Sequence, residues 1–328
     1  MAKKELTIGK YRGLQQITDD AGVFTMVALD HQESLREGIN PANPDSVPYA
    51  QVAELKRDIV GALAPHSSAF LLDLRYGAGN AIASGALPGR TGLIATLELS
   101  PGYGQGETIA RKTAVVAGWN AAKIRRMGAS AVKLLLYYHP NSATAGFQED
   151  LLRQVAADCL EHDIPLVLEV LTHPVVEGQS KESADFAAVR PWVVIESARR
   201  LCSLGADVYK AEFPADIKFE HDEQKMLQQC QELTEAAGVP WVVLSAAVSH
   251  ERFRRQVEIA CEGGAGGFLA GRSIWKEALD LPTEERRKFL AGDAARRLEE
   301  LAQIARRAGR PWTEYYAATV GENWFREY

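Results

Sequence analysis

The stretch from Arg199 to Phe213 reads RRLCSLGADVYKAEF, and it holds the unit from which the chain is built. A helical pattern, Trp192 to Leu204, stops at Leu204-Gly205-Ala206, and an apolar run, Asp207 to Phe213, follows at once. Glycine ends helices because it accepts the left-handed backbone that closes the last turn. The same stop recurs at Met127-Gly128-Ala129, Ala237-Gly238-Val239 and Glu262-Gly263-Gly264. Working outward, eight short apolar runs emerge: Phe24 to Asp30, Ala69 to Leu74, Gly92 to Glu98, Ala131 to Tyr138, Pro165 to Val170, Asp207 to Phe213, Pro240 to Ser245 and Gly266 to Gly271. Helix candidates alternate with them, at Val52 to Leu63, Ile109 to Met127, Gln148 to His162, Trp192 to Leu204, Asp222 to Ala237 and His250 to Glu262.

Strands that are apolar nearly throughout fit a parallel sheet covered on both faces, and eight in alternation with helices favour closure into a barrel. An open doubly wound sheet would place a glycine-rich turn after its first strand. Here Asp30 is followed by His31-Gln32-Glu33-Ser34. The expected fold is therefore α/β, a (β/α)8 TIM barrel with extra C-terminal helices. Such a barrel needs roughly 250 residues. The chain has 328, so residues 1–328 are expected to form one barrel domain with residues 281–328 as a C-terminal helical extension. That extension shows helical patterns at Thr283 to Leu290, Ala294 to Ala308 and from Pro311 to the end, read as the last barrel helix plus a cover. Trp312, Tyr315, Tyr316 and Trp324 read as exposed aromatics that cover the barrel or a neighbour, and a homo-oligomer is expected.

Composition excludes several classes. Hydrophobic residues make up 46% and charged residues 24%, an ordinary globular balance. The net charge of −6 argues against a nucleic-acid surface. No run approaches a membrane span and Met1 to Lys10 lacks a signal-peptide core, so a cytoplasmic protein is expected. Cys159, Cys202, Cys230 and Cys261 lie far apart without a CxxC pair and read as small apolar residues. The seven histidines show no HxxxH or HExxH spacing, and His139 with His173 make a weak metal signal. No metal and no cofactor are expected.

The chemistry lies in polar residues at the C-terminal ends of the strands: Asp30, Asp73, Glu98, Lys133, Glu169, Lys210, Glu212 and Ser245, with Arg272 just beyond the last. In a barrel these ends share one face, where active sites sit. A charge at a strand end is often a solvated rim residue or half of a structural ion pair, and Asp73, Glu98 and Glu212 stay open to that reading. Lys133, followed by three leucines, and Lys210, midway through Val-Tyr-Lys-Ala-Glu-Phe, are expected inside the mouth. A lysine amine attacks a carbonyl only when neutral, a state favoured by desolvation and a nearby cation. A carboxyl such as Glu169 can then move protons, and Asp30 can hold a substrate hydroxyl or act as a base. Loops after the last two strands of such barrels commonly bind phosphate. Here they read Leu244-Ser245-Ala246-Ala247-Val248 and Leu269-Ala270-Gly271-Arg272-Ser273, small residues with one guanidinium.

The segments MVALDHQESL, AVKLLLYY, VLEV, DVYKAEFP, WVVLSAAV and GGFLAGRSIW resemble the tagatose 1,6-bisphosphate aldolase family, which includes 6-deoxy-6-sulfofructose 1-phosphate aldolases. The likeness spans Ile17 to Leu279 and does not reach the tail, where Tyr328 invites comparison with the terminal tyrosine of fructose-bisphosphate aldolases. It implies a class I, metal-free cleavage of a ketose phosphate to dihydroxyacetone phosphate and a three-carbon aldehyde. By the same resemblance Lys210 is the Schiff-base lysine, Glu169 the proton-transfer residue, Lys133 the lysine near the reacting carbonyl and Asp30 the strand-one acid. Ser245, Gly271 and Arg272 match phosphate-binding positions. Two departures stand out. Where the family commonly has Asp-Gln-Arg this chain has Asp30-His31-Gln32, leaving Gln32 at the arginine's place on the substrate's distal side. Where the family usually has glycine this chain has Ala247. Two other readings remain: a barrel that binds a sugar phosphate and signals with little turnover, and a metal-dependent aldolase or epimerase.

Overall fold

The computed structural model describes residues 3–99 and 111–328. The chain opens with β1 (Lys4–Glu5) and α1 (Ile8–Ile17), then enters the barrel through β2 (Phe24–Leu29). Helices α2 (Glu33–Ile39) and α3 (Tyr49–Leu63) lead to β3 (Ala69–Leu72), and α4 (Ala78–Ala83) leads to β4 (Gly92–Thr96). Helix α5 (Ala121–Arg126) precedes β5 (Ala131–Tyr138), α6 (Ala145–Glu161) precedes β6 (Leu166–Thr172), and α7 (Ala184–Cys202) precedes β7 (Val208–Ala211). Then come α8 (Glu223–Ala237), β8 (Trp241–Leu244), α9 (His250–Glu262) and β9 (Gly267–Ala270). The strands β2 to β9 form a closed parallel barrel in sequence order, sealed by β2 beside β9 with Phe24 opposite Gly267. All eight expected strands are present, each within a few residues of its expected bounds.

The barrel closes tightly because its strands carry Val, Ile, Leu, Phe and Ala, almost all fully buried. At about 1.5–3 kcal/mol for each large apolar side chain removed from water, this core is the main stabilising contribution. Gly267 is required at the seam: its φ is +133°, and a Cβ there would overlap the carbonyl of Phe24. Gly238 ends α8 in the left-handed conformation, φ +61°, as its position after Ala237 suggested.

Three expectations are corrected. Of the helix expected at Ile109 to Met127, Ile109 and Ala110 lie outside the described residues, and the chain from Arg111 to Asn120 is irregular. Val115 instead bridges Glu98, and the helix begins only after Asn120, whose side chain accepts from the Lys123 N–H at 3.0 Å. Helix α7 begins eight residues before Trp192, because the Ser183 hydroxyl caps it by accepting from the Phe186 N–H. The loop after β6 therefore spans only residues 173–183.

Beyond β9 the chain forms α10 (Arg272–Trp275), α11 (Thr283–Phe289), a π-helical turn at Leu290–Ala294 and α12 (Ala295–Ala308). Helix α12 packs against α9, β2 and β9, the position of the barrel's eighth helix. The third correction concerns the tail. It is a turn at Trp312–Glu314, a strand β10 (Tyr316–Ala317) parallel to β1, and a short α13 (Trp324–Glu327). Trp312 and Tyr316 are each 2% exposed, not surface aromatics. Trp312 Nε1 donates to Thr18 Oγ1 at 3.1 Å, and Tyr316 Oη donates to the Asp207 carbonyl at 2.9 Å. Lys10 Nζ meets Asp207 Oδ2 at 2.7 Å. Helix α1 and the tail thus seal the N-terminal end of the barrel and leave the other end open.

Candidate active site

The open end holds a cavity of about 490 Å³. Asp30, Gln32, Lys133, Glu169, Lys210, Ser245, Gly271 and Arg272 line it together with Glu98, whereas Asp73 and Glu212, the other strand-end charges raised from the sequence, do not. The register explains the convergence. Glu169 on β6 is directly paired with Lys210 on β7, so both side chains leave the sheet at one level on its inner side.

One carboxylate oxygen joins the two lysines. Glu169 Oε2 lies 2.8 Å from Lys210 Nζ and 2.9 Å from Lys133 Nζ. Lys133 also meets Asp30 Oδ2 at 2.9 Å and the Glu98 carboxylate, whose other oxygen accepts from the Leu135 N–H at 3.1 Å. Burial alone would lower the Lys133 ammonium, but Asp30, Glu169 and Glu98 around it hold it well above the usual lysine range. Lys133 is therefore fixed as a cation. Among the described residues Lys210 contacts a single carboxylate, that of Glu169. Burial would raise Asp30 and Glu169, yet the Lys133 and Lys210 ammonium groups hold both below the usual carboxylate range. Glu98 is pushed up, by burial first and then by Asp30, against the pull of Lys133. The cluster thus offers an amine nucleophile, an adjacent proton acceptor and a permanent cation beside the reacting carbon.

The loops after β8 and β9 meet on one side of the mouth. The Gly271 N–H donates to Ser245 Oγ at 3.2 Å, which consumes that backbone donor and leaves the Ser245 hydroxyl able to donate its own hydrogen. Ala246 and Ala247 both have positive φ, +44° and +60°. The left-handed conformation that the family's glycine would adopt freely is thus kept here by alanine. Helix α10 has one turn only, so the anion-binding capacity of this side lies with Arg272, Ser245 and the alanine turn. No carboxylate among the described residues lies within ion-pair distance of Arg272. Burial lowers its guanidinium, opposed by Asp30 and Glu37.

Two charges named from the sequence serve structure. Asp73 is fully buried against Lys56 of α3, and Glu212 binds Lys181 and accepts from Thr172 N at 2.9 Å. Burial would raise Glu212, but Lys181 and Arg190 bring it down to about 2. Tyr328 contacts Asp163 at the N-terminal end, far from the cavity. His139 and His173 are neighbours with ring centroids 6.2 Å apart, outside the cavity lining. Among the described residues no group of three or more His, Cys, Asp or Glu side chains is arranged to hold a metal ion.

Among the lining residues to which the sequence assigned no role are His31, Arg111 and Tyr137. His31 packs edge-on against Trp275, ring centroids 5.3 Å apart. Arg111 lies in the irregular stretch that reads as helix, so no strand-end rule could find it. Tyr137 looks like one more apolar residue of its strand.

An eight-stranded parallel barrel whose open end holds two lysines joined by a carboxylate defines the class: a barrel enzyme equipped for amine chemistry on a carbonyl. The comparison with known families makes it specific. Residues 24–277 match the model of the DeoC/LacD family aldolases, and the chain belongs to that family. It is similar to tagatose 1,6-diphosphate aldolase 2 of Streptococcus agalactiae, 28% identical with 94% of this chain and 99% of the relative covered. The tagatose 1,6-diphosphate aldolase of Lactococcus lactis gives the same identity and coverage. Among solved structures, an archaeal fructose 1,6-bisphosphate aldolase superposes with a TM-score of 0.59 at 22% identity, covering 90% of this chain and 98% of that one. The fructose-bisphosphate aldolase of Plasmodium falciparum superposes with a TM-score of 0.68 at 14% identity, covering 94% and 98%. The structural likenesses establish the shared barrel.

Proposed function

We infer that the protein is a class I aldolase that cleaves a ketose bisphosphate, such as tagatose 1,6-bisphosphate, to dihydroxyacetone phosphate and a three-carbon aldehyde phosphate. The observation that carries this reading is Glu169 Oε2 held between Lys210 Nζ and Lys133 Nζ. Glu169 takes a proton from Lys210, and the free amine adds to C2 of the open-chain ketose. Lys133 stabilises the developing oxyanion, which takes a proton from the nitrogen that has just attacked to give the neutral carbinolamine. Glu169 returns a proton to the carbinolamine hydroxyl, which leaves as water and forms the iminium. Asp30 then accepts the proton of the C4 hydroxyl as the C3–C4 bond breaks. The bond electrons become an enamine on the lysine, and the aldehyde departs. Protonation at C3 and addition of water release dihydroxyacetone phosphate and restore Lys210. Ser245 and Arg272 hold the C1 phosphate, with the Gly271 N–H fixing the Ser245 hydroxyl oxygen between them, and Gln32 faces the sugar.

In this reading residues 1–328 act as one barrel domain with residues 281–328 as its helical extension, working on phosphorylated sugars in the cytoplasm. The test is reduction by borohydride in the presence of dihydroxyacetone phosphate, followed by intact mass and peptide mapping. A covalent adduct on Lys210, absent in Lys210→Met, is expected. A folded, ligand-saturated protein without adduct would refute the aldolase assignment and favour a binding barrel.

A further inference from the structure

The cavity carries two guanidinium groups with no carboxylate of the described residues within ion-pair distance, and they stand on opposite sides of the mouth. Arg272 follows β9, whereas Arg111 lies against β5, with its guanidinium carbon 4.7 Å from the centroid of the Tyr137 ring. In the closed strand order β5 and β9 are four strands apart in either direction, with Lys133 on β5 itself and Glu169 and Lys210 on the two strands that follow it toward β9. Arg111 is half-buried, its Nε is buried without a hydrogen-bond partner, and no carboxylate among the described residues lies within ion-pair distance. A charge removed from water without a counter-ion is unfavourable, so such a group is held ready for an anion from outside.

The backbone around Arg111 is fixed in place. Gln148 of α6 donates through Nε2 to the Arg111 carbonyl at 3.3 Å and to the Tyr137 carbonyl at 3.1 Å. Its Oε1 accepts from the Thr113 N–H at 3.2 Å, and Thr113 Oγ1 donates to the Leu135 carbonyl at 2.9 Å. The arginine is thereby tied to the strand that carries Lys133. The loop after β2 is unsuited to an anion. It offers Gln32 where the resembling family has arginine, and Glu33 and Glu37 line the same rim.

We propose that Arg111, stacked on Tyr137, binds the distal tetrahedral anion of the substrate, phosphate or sulfonate, across the barrel from the Arg272 side that holds the C1 phosphate. This rests on the aldolase reading and adds to it the residue that holds the substrate's distal anion. An extended ketose then lies between two guanidinium forks with its carbonyl over Lys210. A stacked arginine presents parallel N–H donors that match two oxygens of such an anion.

Calorimetry with non-cleavable ligands tests the subsite. The probes are a hexitol 1-phosphate, the corresponding hexitol 1,6-bisphosphate and a 6-deoxy-6-sulfohexitol 1-phosphate, titrated into the full-length protein and its Arg111→Met and Arg111→Lys variants. Wild type is expected to prefer a doubly anionic ligand over the monophosphate by about 10- to 100-fold, the range of one or two charge-assisted hydrogen bonds. Whichever of the two dianionic probes is preferred identifies the distal group. Arg111→Met should reduce the preference to within about threefold of unity, and Arg111→Lys should fall between, since it keeps the charge without the fork. A wild-type preference near unity, no binding of either dianionic probe, or a preference that survives Arg111→Met would overturn the proposal. Borohydride trapping with dihydroxyacetone phosphate, which has no distal group, is read on wild type in parallel. An adduct on Lys210 with no Arg111 effect refutes the subsite alone, whereas no adduct refutes the aldolase reading itself.

Discussion

Ala247 holds a backbone conformation that L-residues avoid, φ +60°, and Ala246 before it is also left-handed. Each such residue costs about 1–2 kcal/mol relative to glycine, partly offset by the greater freedom that glycine has in the unfolded chain. Ala247→Gly is therefore expected to stabilise the protein by about 0.5–1 kcal/mol, read as a higher urea midpoint with unchanged slope. An unchanged or lower midpoint would show that the turn carries no strain at this position. At this scale the sequence displayed Lys210, Glu169, Lys133 and Asp30, because an ionisable group inside an apolar strand is conspicuous. It could not display Glu98 as a member of the cluster, since the bond from Lys133 exists only once β4 and β5 are paired with Thr96 beside Lys133. Arg111 was hidden for another reason: its neighbours have helical composition, and Gln148, the Thr113 hydroxyl on the Leu135 carbonyl and the bridge from Val115 to Glu98 hold them in an irregular path.

Among the elements, α3 has the clearest indirect role in the site. Its Lys56, 1% exposed, donates to the Leu29 carbonyl at 2.8 Å and to the fully buried Asp73, joining the exits of β2 and β3. Asp30 follows Leu29 at once, so this ion pair positions the strand-one acid. Burial lowers the Lys56 ammonium while Asp73 opposes the shift, the behaviour of a pair whose partners depend on each other. Lys56→Met leaves the Asp73 carboxylate buried with the Tyr76 N–H, 2.6 Å away, as its remaining contact, and is expected to cost about 3–5 kcal/mol of unfolding free energy. A loss below about 1 kcal/mol would mean that the pair is dispensable. Replacing Asp73 by leucine in the same chain should recover part of the loss, as double-mutant cycles do for coupled sites. The alternation of strands and helices was legible because each strand is flanked by a glycine stop or a polar turn. The tail was not, because Trp312 and Tyr316 read as surface aromatics until β10 is seen pairing with β1 under the barrel floor.

For the whole molecule, a barrel sealed at one end and charged at the other has a stability that depends on pH through the open end. His31 sits in the mouth with a side chain 20% exposed. Burial, followed by Arg272 and the lysines Lys210 and Lys56, brings its imidazole down to about 4, although Asp30 pulls the other way. In the unfolded chain a histidine titrates near 6.5. Between those values the unfolded state binds the proton and the folded state does not, so acidification favours unfolding. The stability that His31 contributes is complete above about pH 6.5 and lost as the pH falls toward 4. At about 1.4 kcal/mol per pH unit, roughly 2–3 kcal/mol disappears by pH 4.5 from this residue alone. Asp30 and Glu169, held low by the lysines, act in the same direction at still lower pH, because the unfolded carboxylates take protons first. Urea unfolding of wild type and His31→Asn at pH 7 and pH 4.5 separates the histidine from the carboxylates. The variant should lose less stability between the two pH values, by about 2–3 kcal/mol, and equal losses in the two proteins would show that His31 takes up its proton in the folded mouth as readily as in the unfolded chain.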